Sequence, residues 1–277
     1  MFQLFKKNRM WEKRPLKDRY QVVIIGGGVH GVSTAYYLTK LGIKDIAVLD
    51  KGYLGGGASA RTTAIIRANY ITAEGIPFFN ESLKLYEGLA KELNFNILFN
   101  QMGRLDLGHT DAAVYGLRMR TEFNRLLGVD SRMVGPKEVK DLVPPIDLRE
   151  GKPFPILGAL YHPPCGVVRH DAVVWGFARG ANNGGVELHP FTEVTGIDRT
   201  NGHVSGVETS RGFVQADTVL STTAGWSSTI AAMVDLKLPL TTHPLEVMVT
   251  EPLKPFINRS VSSANLHVYV YQTDRGE

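Results

Sequence analysis

"VVIIGGGVHGVSTAYYLTKLGIKDIAVLDKG", residues 22–52, decides the fold. Val22–Ile25 is a short continuous apolar run, the pattern of a strand buried on both faces. Gly26-Gly27-Gly28-Val29-His30-Gly31 fits G-x-G-x-x-G. Helical spacing follows from about Val29 to Leu41, and Gly42 stops it. Ile46–Leu49 is a second buried strand with Asp50 at its end, 19 positions after Gly31. Strand, glycine turn, helix, strand and acid in this order predict the opening βαβ unit of a Rossmann-like dinucleotide-binding domain.

Each residue type has a physical task in that unit. Gly26 permits the tight turn, Gly28 lets the backbone approach a pyrophosphate, and Gly31 lets helix and strand pack closely. The helix start at Val29 offers free N–H groups and the positive dipole end to phosphates. Asp50 is placed to accept hydrogen bonds from ribose hydroxyls, and its charge disfavours a 2′-phosphate. His30, inside the loop, is expected to lie near the phosphates without acting in catalysis.

The next stretch separates nicotinamide from flavin. Gly55-Gly56-Gly57-Ala58-Ser59-Ala60-Arg61-Thr62-Thr63-Ala64-Ile65-Ile66-Arg67 is a second glycine-rich segment, where a nicotinamide domain usually enters another helix. With its Arg61, Thr63 and apolar Ala64–Ile66 it suits a chain crossing a large buried cofactor, with a surface linker as the bland alternative. With the glycine fingerprint and Asp50, it resembles the glycine/D-amino-acid oxidase family of FAD proteins. That resemblance implies backbone contact of Val194 with adenine and of Gly225 with the pyrophosphate. It also implies a discontinuous FAD-binding domain.

Composition narrows the classes. The 277 residues are 43% hydrophobic and 21% charged, an ordinary globular chain with no apolar run of membrane-span length. The pI near 9.1 has a local origin. Residues 1–20 hold seven Lys/Arg against Glu12 and Asp18, a net +5, whereas the whole chain is +4. The positive charge is thus an N-terminal arm, expected to lie on a partner subunit or to be disordered, and not a nucleic-acid-binding face. Cys165 is the single cysteine, so no internal disulfide forms, and a cytoplasmic location fits.

Farther along, residues 76–99 predict a long amphipathic helix with Phe79, Leu83, Leu85, Tyr86, Leu89 and Leu93 inward. A strand and a helix over Asp111–Leu127 follow, then a short helix stopped by Pro144-Pro145. Asn201-Gly202 predicts a hairpin turn, and Thr218–Thr222 a buried strand. "NLHVYVYQ", residues 265–272, alternates as one strand with Tyr269 and Tyr271 on one face. His162, Cys165 and His170 have metal-ligand chemistry but no fourth partner nearby, so no metal is expected.

"CGVVRHDAVVW", residues 165–175, has two readings. Asp171 caps a helix beginning at Ala172, with Val173, Val174, Phe177 and Ala178 inward. Alternatively His170 is also a nucleophile that attaches a flavin, with Arg169 stabilising charge on it. "RANY", "LLGVD", "GVVRHDAVVWGFARGAN", "HPLEVMVTEPLKP" and "LHVYVYQ" resemble the beta-subunit family of heterotetrameric sarcosine oxidases. That resemblance implies noncovalent FAD, FMN joined covalently to His170 at the alpha-subunit boundary, and contacts to FMN from Arg169 and Trp226. Ala58 and Trp226 depart from residues found in relatives, asparagine and histidine respectively.

The resemblance further implies oxidation of sarcosine, or a related N-methyl or secondary amino acid. Electrons pass from FAD to FMN and to oxygen, giving hydrogen peroxide. Arg67 is the candidate for the substrate carboxylate, with a flavin or another carboxylate as the other possible partner; His267 and Tyr269 are candidates to line the pocket. The expected layout is an arm at 1–20, an FAD-binding domain at 21–75 and 166–234, and an α+β substrate domain with an antiparallel sheet at 76–165 and 235–277. The chain is expected to be an N-terminal fragment. The alternatives are a flavin dehydrogenase of proline or another secondary or D-amino acid, a nicotinamide dehydrogenase, and a non-catalytic scaffold subunit.

Overall fold

The computed structural model describes Met10, Glu12–Ser263 and Asn265–Glu277. The elements run β1 (Arg19–Ile25), α1 (Val29–Lys40), β2 (Ile46–Leu49), β3 (Ile65–Ile66), α2 (Gly75–Glu92) and β4 (Arg104–Gly108). Next come α3 (Asp111–Leu126), β5 (Arg132–Val134), α4 (Pro136–Leu142), β6 (Gly158–His162) and β7 (Gly166–Val167). Then follow α5 (His170–Asn183), β8 (Glu187–His189), β9 (Val194–Thr200), β10 (His203–Thr209) and β11 (Gly212–Ser221). The last are α6 (Ser227–Ala232), β12 (Ser260–Ser263) and β13 (Val268–Val270).

Two compact units share these elements: residues 1–62, 93–97 and 170–246 form the first, and residues 63–92, 98–169 and 247–277 the second. The first division falls after Thr62 instead of residue 75. The reason is that β3, just beyond it, pairs with β7 inside the second unit.

In the first unit a six-stranded sheet has the order β8-β2-β1-β11-β10-β9. β1 pairs in parallel with β2 and β11, and β2 with β8, whereas β10 runs antiparallel to β11 and β9. All four residues of β2 are buried, as its unbroken apolar run requires. Asn201 and Gly202 adopt φ of 54° and 81°, the left-handed pair that a two-residue hairpin turn needs. α1 packs on α5 through Tyr36, Tyr37 and Phe177, whose ring centroids lie 5.0–5.9 Å apart.

Several expectations are corrected here. The described end of the arm is folded onto its own unit. Arg14 donates to Asn182 at 2.8 Å, Lys17 pairs with Asp45 at 2.7 Å, Leu16 packs on the core, and Arg19 and Tyr20 open β1. The rest of the arm lies outside the described residues. Residues 218–222 are half-buried or exposed and not buried. α5 begins at His170, so Asp171 sits inside its first turn, where its carboxylate accepts the N–H of Ala172 at 2.9 Å. Val173, Val174, Phe177 and Ala178 face inward as expected.

The second unit holds a five-stranded sheet, β13-β12-β4-β6-β5, antiparallel except for the β12–β4 pair. α2 ends at Glu92, shorter than the pattern suggested, and buries Ile76, Leu83 and Leu89. Leu85 is 56% exposed, because it falls off the stripe set by those three. Residues 265–272 do not make one strand: only Val268–Val270 pair, with β12 alone.

Candidate functional site

In the first unit the glycine turn is built as a nucleotide cradle. Gly26 leaves β1 at φ +107°, and its N–H donates to Leu49 O at 2.8 Å. A Cβ on Gly31 would lie 1.9 Å from Gly26 O, so nothing larger than hydrogen fits between helix and turn. The Thr222 hydroxyl lies within bonding distance of the carbonyls of Ile25 and Gly26, at 3.0 and 2.9 Å, and pins the turn to the end of β11.

Asp50 is oriented by backbone. It accepts the N–H of Gly27 at 2.7 Å on one oxygen and that of Gly52 at 2.8 Å on the other. Each carboxylate oxygen keeps lone pairs for further donors. α1 starts at Val29 without a side-chain cap from Gly28 and without an acid in its first turn. Val29 N–H donates to the Ser59 hydroxyl at 3.0 Å. A Cβ on Gly28 would meet only that hydroxyl, at 3.1 Å. A helix start with no acid in its first turn, a close-packed glycine turn and an oriented acid fit the pyrophosphate and ribose of FAD.

The remaining nucleotide candidates take varied positions. His30 is exposed, and Arg61 turns back onto the carbonyls of Gly56 and Gly57. Val194 is buried at the start of β9. Gly225 accepts a hydrogen bond from Thr242 at 2.9 Å. Trp226 lies beneath the Lys51 ammonium, 4.0 Å from the ring centroid, which places it beside the residue that follows Asp50. His170 opens α5, half-buried.

In the second unit Arg67 is held on one edge. Its Nη1 donates to Asn69 O at 3.2 Å and to Asn69 Oδ1 at 3.1 Å. The guanidinium lies 4.0 Å above the Tyr70 ring, which itself stacks on Phe79 at 3.7 Å. The Nε–Nη2 edge carries no protein partner among the described residues. That edge is the fork that receives a planar carboxylate bidentately.

Behind Arg67 is a buried charge cluster that the sequence reading missed. Arg104 and Asp106 alternate along β4 and so share a face, joining through Nε and Oδ1 at 2.8 Å. Arg120 of α3 approaches Asp106 at 3.5 Å, and Ser262 of β12 donates to it as well. Burial alone would raise the Asp106 pKa. The charges of Arg104 and Arg120 with the Ser262 hydroxyl outweigh it and hold the carboxyl below its ordinary value. Only the alternation of Arg104 and Asp106 signalled that both would share a face.

His162 is buried in the same unit. Its Nε2 accepts Ala68 N–H at 3.2 Å and its Nδ1 donates to Asp130 O at 2.7 Å, so both ring nitrogens are used. Burial pushes its pKa down to about 4 and pushes that of the Cys165 thiol up to about 12. Among the described residues no group of three or more His, Cys, Asp or Glu side chains is arranged to hold a metal ion. Arg169 pairs with Asp274 at 3.1 Å. Tyr269 accepts a hydrogen bond from Thr63 at 3.4 Å. His267 is exposed with φ of 50°. No hydrogen bond or ring contact joins Tyr269 or His267 to Arg67 among the described residues.

A Rossmann-type unit with an oriented acid, in one chain with a unit built on a mixed sheet, defines a class of dinucleotide-binding flavoprotein. Residues 21–277 match the FAD dependent oxidoreductase (DAO) family, and the chain belongs to it. It is similar to the sarcosine oxidase subunit beta of Rhizobium meliloti (strain 1021), 45% identical over 96% of this chain and 64% of that protein. The sarcosine oxidase subunit beta of an Arthrobacter species is 43% identical over 97% of this chain and 66% of its own length. The chain therefore spans about two thirds of these curated relatives. The crystal structure of L-proline dehydrogenase from P. horikoshii superposes with a TM-score of 0.84 at 29% identity, over 94% of this chain and 69% of that one.

Proposed function

We propose that this chain carries the FAD and the substrate-oxidising site of a sarcosine-oxidase-type enzyme. Its substrate is sarcosine or a related N-methyl or secondary amino acid. Its electrons pass from noncovalent FAD to FMN joined covalently to His170, then to oxygen, giving hydrogen peroxide. It works with other sarcosine oxidase subunits, the alpha subunit above all. A cytoplasmic location belongs to the same reading, supported by a lone, buried cysteine. Among the described residues no helix is long and apolar enough to cross a membrane.

The observation that carries the reading is identity of 43–45% to two sarcosine oxidase beta subunits over 96–97% of the chain. The chemistry of the chain's own residues supports it. Gly26, Gly28, Gly31 and Asp50 would hold the pyrophosphate and ribose of FAD. When bound, the flavin supplies a two-electron acceptor for the substrate's N-methyl hydrogen. Arg67 binds the substrate carboxylate on its Nε–Nη2 edge, and the Tyr70 ring beneath it fixes the plane of that pair. The substrate is thereby oriented by its carboxylate, leaving its amine end for reaction. His267 and Tyr269 belong to the same proposal as pocket residues. The imidazole of His170, at the positive end of α5, would anchor an electron-rich FMN, with Arg169 and Trp226 as the further FMN contacts.

Anaerobic mixing of the full-length, flavin-loaded complex with sarcosine tests the activity. Bleaching of the flavin followed by hydrogen peroxide on admission of air is expected. Bleaching by L-proline and not by sarcosine, with no peroxide, would favour a proline dehydrogenase, the reading supported by likeness to the P. horikoshii structure.

A further inference from the structure

Arg67 alone does not determine where its free edge points. A guanidinium on a four-bond stem reaches many positions, so a bidentate site needs something that fixes the group. Asn69 is fully buried and supplies two acceptors to Arg67, its backbone oxygen and its Oδ1. Its Nδ2 donates to Asp106 Oδ2 at 2.8 Å. Only one orientation of the side-chain amide satisfies both neighbours, oxygen toward the guanidinium and nitrogen toward the carboxylate. The Asn69 backbone oxygen also receives Arg120 Nε at 2.8 Å.

The charges in this cluster give Asp106 a further part. Arg67, Arg104 and Arg120 all act on one carboxylate. Asp106 is 3% exposed and its Oδ1 receives Arg104 and Ser262 while its Oδ2 receives Asn69. Without that anion three guanidinium groups would repel each other across a buried space, and Asn69 would lose the acceptor that sets its amide. Arg104 and Arg120 use their N–H groups on Asp106, Ser260 and Asn69. Arg67 keeps its whole Nε–Nη2 edge without a protein partner among the described residues.

Resting on the reading of Arg67 as the carboxylate-binding residue, we propose that Asp106, acting through Asn69, is a positioning residue for substrate recognition. It holds the Arg67 fork in the orientation that selects a planar carboxylate over a neutral group of the same size. Asp106 touches no substrate.

The test compares sarcosine with its neutral analogue N-methylglycinamide on the full-length, flavin-loaded complex. Acetate, titrated by its perturbation of the flavin spectrum, serves as a probe independent of turnover. Asp106→Asn is expected to raise KM for sarcosine and the Kd for acetate by roughly tenfold to a hundredfold, as misplacement of a binding group by about 1 Å does. The kcat and the reaction of the amide should change little. Arg67→Gln should erase the preference for carboxylate, and the double variant should be no worse than Arg67→Gln alone.

Discrimination that survives Arg67→Gln overturns both readings. Discrimination that survives Asp106→Asn but not Arg67→Gln overturns the positioning role alone. A fall in Tm with equal losses for acid and amide overturns it as well, since a merely structural carboxylate acts on both alike. Should Asp106→Asn fail to fold, Asn69→Ala decides: a selective rise for the two carboxylates supports the proposal, and an unchanged ratio overturns it.

Discussion

Gly31 and Asp50 are the residues where single-atom arguments reach furthest. Gly31 has no room for a methyl group, since the nearest atom is a backbone oxygen at 1.9 Å that cannot move without opening the turn. Gly31→Ala should therefore destabilise the first unit by about 1–3 kcal/mol, the usual cost of overpacking, and lose FAD. Thermal unfolding and the flavin-to-protein ratio measure the two effects, and a yellow, unshifted variant would refute the close-packing argument. Asp50→Ala leaves the N–H groups of Gly27 and Gly52 without their acceptor. Its cost should be about 1–3 kcal/mol of turn stability, with FAD affinity reduced, as a flavin-release titration would report.

At the scale of elements, β6 and α5 each carry a histidine with a different consequence. His162 ends β6 and ties it to Ala68 and Asp130, neutral in the folded state with a pKa of about 4 against 6.5 ordinarily. The unfolded chain binds a proton there between those two values and the folded chain does not. Stability therefore rises with pH across that window and is lost as pH falls from 6.5 toward 4, by about 3 kcal/mol in full. Chemical denaturation of His162→Gln should show a flatter acid limb, and a limb as steep as the wild type's would assign the loss to other groups. His170, opening α5, is half-buried instead. His170→Ala should keep FAD and its reduction by sarcosine while losing acid-stable flavin. Mass spectrometry of the peptide over residues 165–179 decides it: an unmodified peptide from active two-flavin enzyme returns the histidine to a helix-start role.

For the whole molecule, the two units place different burdens on sequence reading. In the first, periodicities and fixed short spacings place β1, α1, β2 and the Asn201-Gly202 hairpin, although the pairings of β1 with β11 and of β2 with β8 join distant segments. The second depends on strands brought together over long separations, β4 with β12 and β6. Its last strand shrank from eight expected residues to three, because alternation alone does not show how much of a strand finds a partner. Deleting the two arginine partners tests the unit as a whole. Arg104→Leu with Arg120→Leu should unfold it, costing about 3–5 kcal/mol or more for a stranded buried charge. Retention of the wild-type Tm would show that Asp106 is solvated in solution.

The sequence by itself determined the βαβ unit, its glycine contacts and the acid at the end of β2, because those depend on residue type at fixed short spacing. It also marked Arg67 and His170 as chemically unusual, without saying what surrounds them. Only the tertiary structure decided the surroundings. "RLDLG" reads as a strand with one polar face, yet all five residues of β4 are buried, since the strand lies at the middle of its sheet. Arg104 and Asp106 are tolerable there only because Arg120, Ser262 and Asn69, distant in sequence, arrive to pair with them. A buried charge must be neutralised by whatever the fold brings near, and that is a property of three-dimensional packing and not of spacing along the chain.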